Sequence, residues 1–283
     1  MILDKPIMVA ELSINHLGMV NIAKKMIDEA VVSGANLIKL KYKNVKKYYK
    51  DDSKKWRNFS FKKYRESLEL SKEDFEHLAK YCYDKNINWF CTVHDQEGLD
   101  FIRKFNPPFY KVASMDADKS DLVNSVMDLC SKENKPMIIS LGGKSDQFVT
   151  NLVKKIDHHN IHAYLLHTVS IYPTPDGKSN ITYITHLRNK FESDRIKIGY
   201  SGHEVGYAPS ILATLQGAKM IERHFSLSMD WNIHHIGCSL TPKKYREMND
   251  TIDKIIIENN AGLTEFHKEE LDFLKDMKYV WYI

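Results

Sequence analysis

The sequence predicts an α/β protein built as one (β/α)8 TIM barrel with a short C-terminal extension, and three observations predict it. Eight short apolar segments recur along the chain, with helical patterns between them. The 283 residues, 43% hydrophobic and 28% charged, are enough to bury one large core of the size such a barrel needs. No Gly-x-Gly-x-x-Gly follows the first strand, which argues against an open dinucleotide-binding sheet.

Ile7-Met-Val-Ala-Glu-Leu-Ser13 reads as a buried strand ending in polar residues, followed by a helix from about Val20 to Ser33. Ile22, Met26, Ile27 and Ala30 form its apolar stripe, and Gly34 is a stop signal. Ala35 to Lys41 is the second strand, with Lys39 and Lys41 on one face because side chains alternate along a strand. The stretch from Tyr42 to Leu70, rich in Lys, Tyr, Trp and Asp, reads as a long irregular loop on the catalytic side. Ser71-Lys-Glu-Asp74 then opens a helix with a Ser N-cap and early acids.

The remaining strands are expected at Trp89–Val93, Phe109–Ala113, Pro136–Ser140, Ala163–His167, Ile196–Tyr200 and Lys219–Arg223, and a helix-like segment, Tyr207 to Gly217, separates the last two. The last barrel helix runs from roughly Lys243 to Asn259. Residues 1–260 therefore make the barrel, and 261–283 an extension with an aromatic end, Tyr279-Val-Trp-Tyr-Ile283, too short for a second domain.

The formal charge is +4, from 41 basic and 37 acidic residues that are interspersed, so no arm or face suited to nucleic acid or membrane stands out. Small anionic substrates remain compatible. Cys82, Cys91, Cys130 and Cys238 lie far apart with no Cys-x-x-Cys pair, which supports neither a disulfide framework nor a zinc ribbon. Without a signal peptide or an apolar run approaching the ~20 residues of a membrane span, a soluble, cytoplasmic protein is expected.

Active sites of such barrels lie at the C-terminal ends of the strands. The polar residues there are Glu11, Lys39, Lys41, Thr92, Lys111, Ser114, Ser140, Ser170, Tyr172, Ser201, His203 and His224. Converging ammonium and hydroxyl groups donate hydrogen bonds to phosphate and carboxylate oxygens, which points to a small phosphorylated acid. A lone strand-end lysine is ordinarily a solvated charge, but Lys39 and Lys111 sit inside apolar strands, where unpaired charge is costly. His203 and His224 leave consecutive strands on the same side, an arrangement suited to a divalent metal, although either alone would read as a structural histidine. His234 and His235 follow in a loop, where a solvated role and a site role are both open. His158 and His159 precede a strand at the opposite end and receive no function.

Several segments in this order resemble the sialic acid synthase family, enzymes that condense phosphoenolpyruvate with N-acetylmannosamine or related sugars. The resemblance covers roughly residues 6 to 258. It rests on Ala10-Glu-Leu-Ser-Ile-Asn-His16, Gly34-Ala-Asn-Leu-Ile-Lys39, Tyr110-Lys-Val-Ala-Ser114, Leu165-Leu-His-Thr-Val-Ser-Ile-Tyr-Pro-Thr-Pro175, Gly199-Tyr-Ser-Gly-His203 and Ile221-Glu-Arg-His-Phe225. It implies phosphoenolpyruvate contacts from Lys39, Thr92, Lys111, Ser114, Ser140, Ser170, Tyr172 and Ser201. It also implies a manganese or magnesium ion on His203 and His224, and a proton-managing role for Glu11.

The pattern departs from the family at four places. Its Lys-x-Gln becomes Lys39-Leu-Lys41, its Ser-Asp-His becomes Ser201-Gly-His203, and its Gly-Pro-Asp loop aligns with Ile233-His-His235, so that His235 replaces an acid. The C-terminal antifreeze-like domain typical of the family, which enters the partner subunit's site, is not expected in this chain; a homodimer is what the resemblance implies. Two other readings compete: a synthase with a different acceptor, phosphorylated or not N-acylated, for which Lys41, Lys43 and Arg223 supply basic groups, and a non-catalytic sugar- or phosphoenolpyruvate-binding barrel.

Overall fold

Strand β1 (Ile7–Glu11) opens the chain and is followed by α1 (Val20–Val32), whose buried stripe is Ala23, Met26, Ile27 and Ala30. Gly34, at φ +95°, ends this unit in a conformation that side-chain-bearing residues avoid, and a Cβ there would meet Asn249 Nδ2 at 2.8 Å. Next come β2 (Leu37–Lys41), α2 (Val45–Tyr48), β3 (Lys55–Trp56), β4 (Phe59–Ser60), α3 (Phe61–Glu66) and α4 (Lys72–Asp84). The computed structural model describes residues 2–49, 52–261 and 268–281, with side chains through residue 277.

The chain continues as β5 (Trp89–Val93), α5 (Gln96–Ile102), β6 (Tyr110–Val112), α6 (Ser120–Glu133), β7 (Met137–Ser140), α7 (Asp146–His158), β8 (Ala163–His167) and α8 (Tyr183–Phe191). It ends with β9 (Ile196–Gly202), α9 (Ala208–Leu215), β10 (Met220–Phe225), β11 (Ser239–Leu240), α10 (Pro242–Asn260) and α11 (Lys268–Trp281). Strands β1, β2, β5, β6, β7, β8, β9 and β10 pair in parallel in that order, and β10 returns to β1 with Glu11 opposite His224, closing the eight-stranded barrel. The short β11 pairs with β10 alongside this closure.

One of the expectations needs correction here. The segment between β2 and α4 is not an irregular loop: it holds two short helices and the β3–β4 hairpin. Asn44 and Ser60 cap the helices by accepting from the amides of Lys47 at 3.3 Å and Lys63 at 3.1 Å. Helices of one turn to two are too short for a periodic apolar stripe to emerge from so lysine-rich a stretch. The extension beyond α10 contains α11, while the side chains of the aromatic end, Tyr279 to Ile283, lie outside the described residues. The Ser71 cap does form, as a reciprocal box with Asp74.

Alternation along the strands divides the interior into two cores. The larger lies between sheet and helices, while Val9, Leu37, Phe90, Ile138, Leu166 and Met220, one from each of six strands, form a separate cluster that plugs the barrel. Gly199 belongs to this plug by default: a Cβ there would meet Leu166 Cδ2 at 2.5 Å and the Met220 carbonyl at 2.8 Å. Two residues beyond each plug residue the same strand face turns polar, giving Glu11, Lys39, Thr92, Ser140, Thr168, Ser201 and Glu222. The sequence therefore builds floor and site from one rule. The four cysteines are free and buried, and no described helix is long and apolar enough to cross a membrane.

Candidate active site

The polar layer forms the base of a cavity of about 320 Å³ at the C-terminal end of the barrel, within the range of small-ligand sites. All thirteen candidate residues line it, from Glu11, Lys39 and Lys41 through Thr92, Lys111, Ser114 and Ser140 to Ser170, Tyr172, Ser201, His203, His224 and His235. A second cavity, of about 280 Å³, opens at the opposite end between Lys135, Arg195 and Lys197, but it holds neither a carboxylate–lysine network nor paired histidines.

Glu222 organises the base of the first cavity. Its two oxygens accept from Lys39 Nζ at 2.7 Å and Lys111 Nζ at 2.5 Å, and Ser201 Oγ adds a third bond at 3.0 Å. Lys39 Nζ also lies 2.5 Å from Glu11 Oε2, so two lysines and two glutamates balance in charge. Burial pushes the Glu222 carboxyl upward, but Lys111 and Lys39 outweigh it and hold the group ionised. Burial in turn pulls Lys39 down to about 7, against the attraction of Glu222.

The hydroxyl side is made by Ser114, Ser140 and Ser170 around the turn after β7. The Gly142 amide donates to Ser114 Oγ at 2.9 Å. A Cβ on Gly142 would sit 2.3 Å from Ser170 Oγ and 2.8 Å from Ser114 Oγ, so only glycine leaves this cradle of donors open.

The histidines stand on the other side. His203 Nδ1 bonds to the Val169 carbonyl at 2.8 Å; a carbonyl can only accept, so Nδ1 carries the proton and Nε2 keeps its lone pair. The His203 and His224 rings lie 5.5 Å apart, and His224 Nδ1 is buried without a hydrogen-bond partner among the described residues. Burial lowers His203 to about 3, and burial with neighbouring His203, Lys39 and Lys41 keeps His224 neutral as well. The His235 ring is 5.3 Å from that of His224, and Tyr172 packs 4.0 Å from His203 and 4.7 Å from His235. Two neutral imidazoles, one oriented by a backbone carbonyl, are a donor set suited to a divalent ion, although among the described residues no three His, Cys, Asp or Glu side chains converge closely enough to hold one by themselves. Asn15, from the first motif, ties the loop after β1 to this strand end by donating to the Phe225 carbonyl at 2.8 Å.

Above the base, the segment between β2 and α4 partly roofs the cavity with Lys43, Tyr49, Lys54, Phe61 and Arg65. It is fastened to the rim at both ends. Tyr48 OH donates to Asp116 at 3.1 Å, a carboxylate also held by His94 at 2.5 Å and Lys119 at 2.7 Å, and the His234 amide donates to Tyr64 OH at 3.0 Å. Arg65 is 2% exposed and pairs with Glu69. His234 lines the cavity beside His235.

Two residues expected to shape the site do not face it. Arg223 is fully buried on the outer side of β10, where it bonds Glu204 Oε1 at 2.7 Å, Ser210 Oγ at 3.0 Å and the Cys238 carbonyl at 3.3 Å. It contributes no charge to the mouth because it alternates with Glu222 and His224, which face the cavity. Gly202 also faces outward: a Cβ there would meet Glu204 Oε2 at 2.5 Å, so this departure from the family pattern concerns packing rather than a ligand. Glu222 itself was absent from the candidates, although its position two residues before His224 on the same strand face was the signal that could have found it. Arg65 carried no comparable signal.

Comparison with known proteins gives one consistent picture. Residues 26–264 match the model of the NeuB family. The chain is 31% identical to an N-acetylneuraminate-9-phosphate synthase of Drosophila melanogaster over 89% of this chain and 68% of that protein. It is 26% identical to a pseudaminic acid synthase of Campylobacter jejuni, covering 88% and 73%. Among solved structures it is similar to the N-acetylneuraminic acid synthetase of Leptospira borgpetersenii, with a TM-score of 0.83 and 25% identity over 99% of this chain and 94% of that one.

Proposed function

The chain belongs to the NeuB family, and from that premise we propose that it condenses phosphoenolpyruvate with an aldose and one water, the water adding its oxygen to C2 as the C2–O bond to phosphate breaks, to give a 2-keto-3-deoxy sugar acid and phosphate. The observation that carries this reading is the floor of the cavity, where Lys39 and Lys111 meet a set of hydroxyls on one side and two neutral histidines on the other.

The residues divide the work. Lys39, Lys111 and the Ser114–Ser140–Ser170 cradle supply the donors that a phosphate and a carboxylate require, fixing the donor carbon in one orientation. Glu222 keeps both lysines in place before the substrate arrives and takes part of their charge. Glu11, ion-paired with Lys39 and with its Oε2 left without a hydrogen bond among the described residues, is the carboxylate placed to manage a proton at the acceptor. His203 and His224 would hold a manganese or magnesium ion, which when bound supplies Lewis-acid polarisation of the acceptor carbonyl. Tyr172, packed on His203 and His235, shields this side from water.

The test is phosphate release and keto-acid formation from phosphoenolpyruvate over a panel of aldoses, with and without added manganese. Turnover with at least one aldose is expected, lost in His203→Ala and His224→Ala. Full activity of either variant would remove the metal assignment, and binding of phosphoenolpyruvate without turnover of any aldose would leave a binding barrel instead.

A further inference from the structure

Resting on the condensation reading, we propose that the upper part of the cavity is an anion site for the acceptor, in which Lys41, Lys43 and Arg65 hold a phosphoryl or carboxylate group carried by the sugar away from its aldehyde.

Lys39, Lys41 and Lys43 occur at every second residue as the chain climbs out of β2, so their side chains rise on the cavity side in steps of about 6–7 Å. Tyr42, between them, turns the other way, its ring 5.5 Å from Phe75 and 4.9 Å from Phe101 in the outer core. The lowest lysine belongs to the floor, where Lys39 and Lys111 are balanced by Glu11 and Glu222. The upper layer is unbalanced. Lys41, Lys43 and Arg65 face one carboxylate, Glu69, and that carboxylate is engaged by Arg65.

Asp116, the other acid near them, is held by His94, Lys119 and Tyr48. Neither Lys41 nor Lys43 has an ion-pair or hydrogen-bond partner among the described residues, and Arg65 Nε is buried without one. Lys43 is 6% exposed and rests its ammonium 3.6 Å above the Tyr48 ring, a contact that leaves its donors unspent.

Positive charge in excess inside a half-closed cavity is costly to leave uncompensated: burial, then repulsion from Arg65, pulls Lys41 down to about 8, and burial, then repulsion from Lys41 and Arg65, pulls Lys43 well below the lysine range. An entering anion removes that cost, and an arginine beside two lysines is the donor set that phosphate and carboxylate oxygens fit. A neutral sugar would leave the excess in place.

The experiment measures binding of an N-acetylhexosamine, its 6-phosphate and the corresponding uronic acid to the wild-type protein and to Lys41→Gln, alongside kcat/KM for each sugar with phosphoenolpyruvate. Lys41 has no partner to lose, so the variant should fold. One of the charged sugars is expected to bind roughly 100-fold tighter than the neutral one, and Lys41→Gln to remove about tenfold of that preference, with a smaller loss in phosphoenolpyruvate affinity. Whether phosphate or carboxylate binds better identifies the group, and either supports the site. Equal binding of charged and neutral sugars, or a preference untouched by Lys41→Gln, overturns it. Lys41-dependent binding of a charged sugar without any condensation would uphold the anion site and sink the condensation reading.

Discussion

Lys111 Nζ stands 2.5 Å from Glu222 Oε2 at the base of the cavity, and Lys39 closes on the other oxygen of the same carboxylate at 2.7 Å. A glutamate thus occupies, in the free protein, the space between two lysines that an incoming anion would use. Glu222→Gln leaves two buried ammonium groups with one remaining carboxylate, Glu11. It is expected to cost about 3 kcal/mol, read from urea unfolding, and to enlarge the thermal stabilisation that phosphoenolpyruvate produces. An unchanged unfolding midpoint would show that the lysines do not depend on Glu222.

The pH dependence follows from Lys39, which burial lowers from 10.5 to about 7. Below about pH 7 the folded protein bears the full cost of the buried ammonium; from there towards 10.5 the unfolded chain holds a proton that the folded one has released, so this contribution to stability rises with pH. Binding runs the other way, because an anion needs the ammonium. Affinity for phosphoenolpyruvate should fall by up to about tenfold per pH unit above about 7, with proton uptake on binding. Calorimetry in buffers of different ionisation heat measures both, and a flat affinity between about pH 6 and 9 would contradict the role of Lys39.

Arg223 and Glu204 form a buried pair on the outer side of β10, joined to Ser210 of α9. Arg223→Met strands the Glu204 carboxylate and should cost about 3–5 kcal/mol in stability. Because neither residue faces the cavity, KM for phosphoenolpyruvate should stay unchanged in the fraction that folds. A shifted KM would place Arg223 in the site after all.

Gly142→Ala tests the hydroxyl cradle. The added methyl would fall 2.3 Å from Ser170 Oγ and 2.8 Å from Ser114 Oγ, so both hydroxyls must move. A loss of about tenfold or more in phosphoenolpyruvate affinity is expected, with a melting temperature within a few degrees of wild type. Retained affinity would mean that the cradle does not touch the substrate.

How far the sequence could be read follows from these same residues. Strand alternation is a short-range rule, so β2 alone announced that Lys39 and Lys41 share a face, and the apolar runs announced eight strands in barrel order. The same rule was sufficient to include Glu222 and exclude Arg223 and Gly202, which were judged by residue type instead of by facing. The roof was beyond reach for another reason. Its helices, Val45–Tyr48 and Phe61–Glu66, are held by caps and by distant partners such as Asp116 and His234, and such contacts leave no local periodicity.

The roof hangs outside the barrel's strand ladder, fastened at Tyr48 and Tyr64, whereas the floor is written into the strands themselves. The two halves of the cavity can therefore change at different rates. Any substitution in the floor must respect closure, register and the apolar plug two residues below, while residues 43–70 can be replaced as a cassette. The proposed acceptor site is in that sense largely transplantable, and a chimera carrying a relative's residues 43–70 on this barrel, together with that relative's residue at position 41 in β2, is expected to take over the sugar choice of the donor protein.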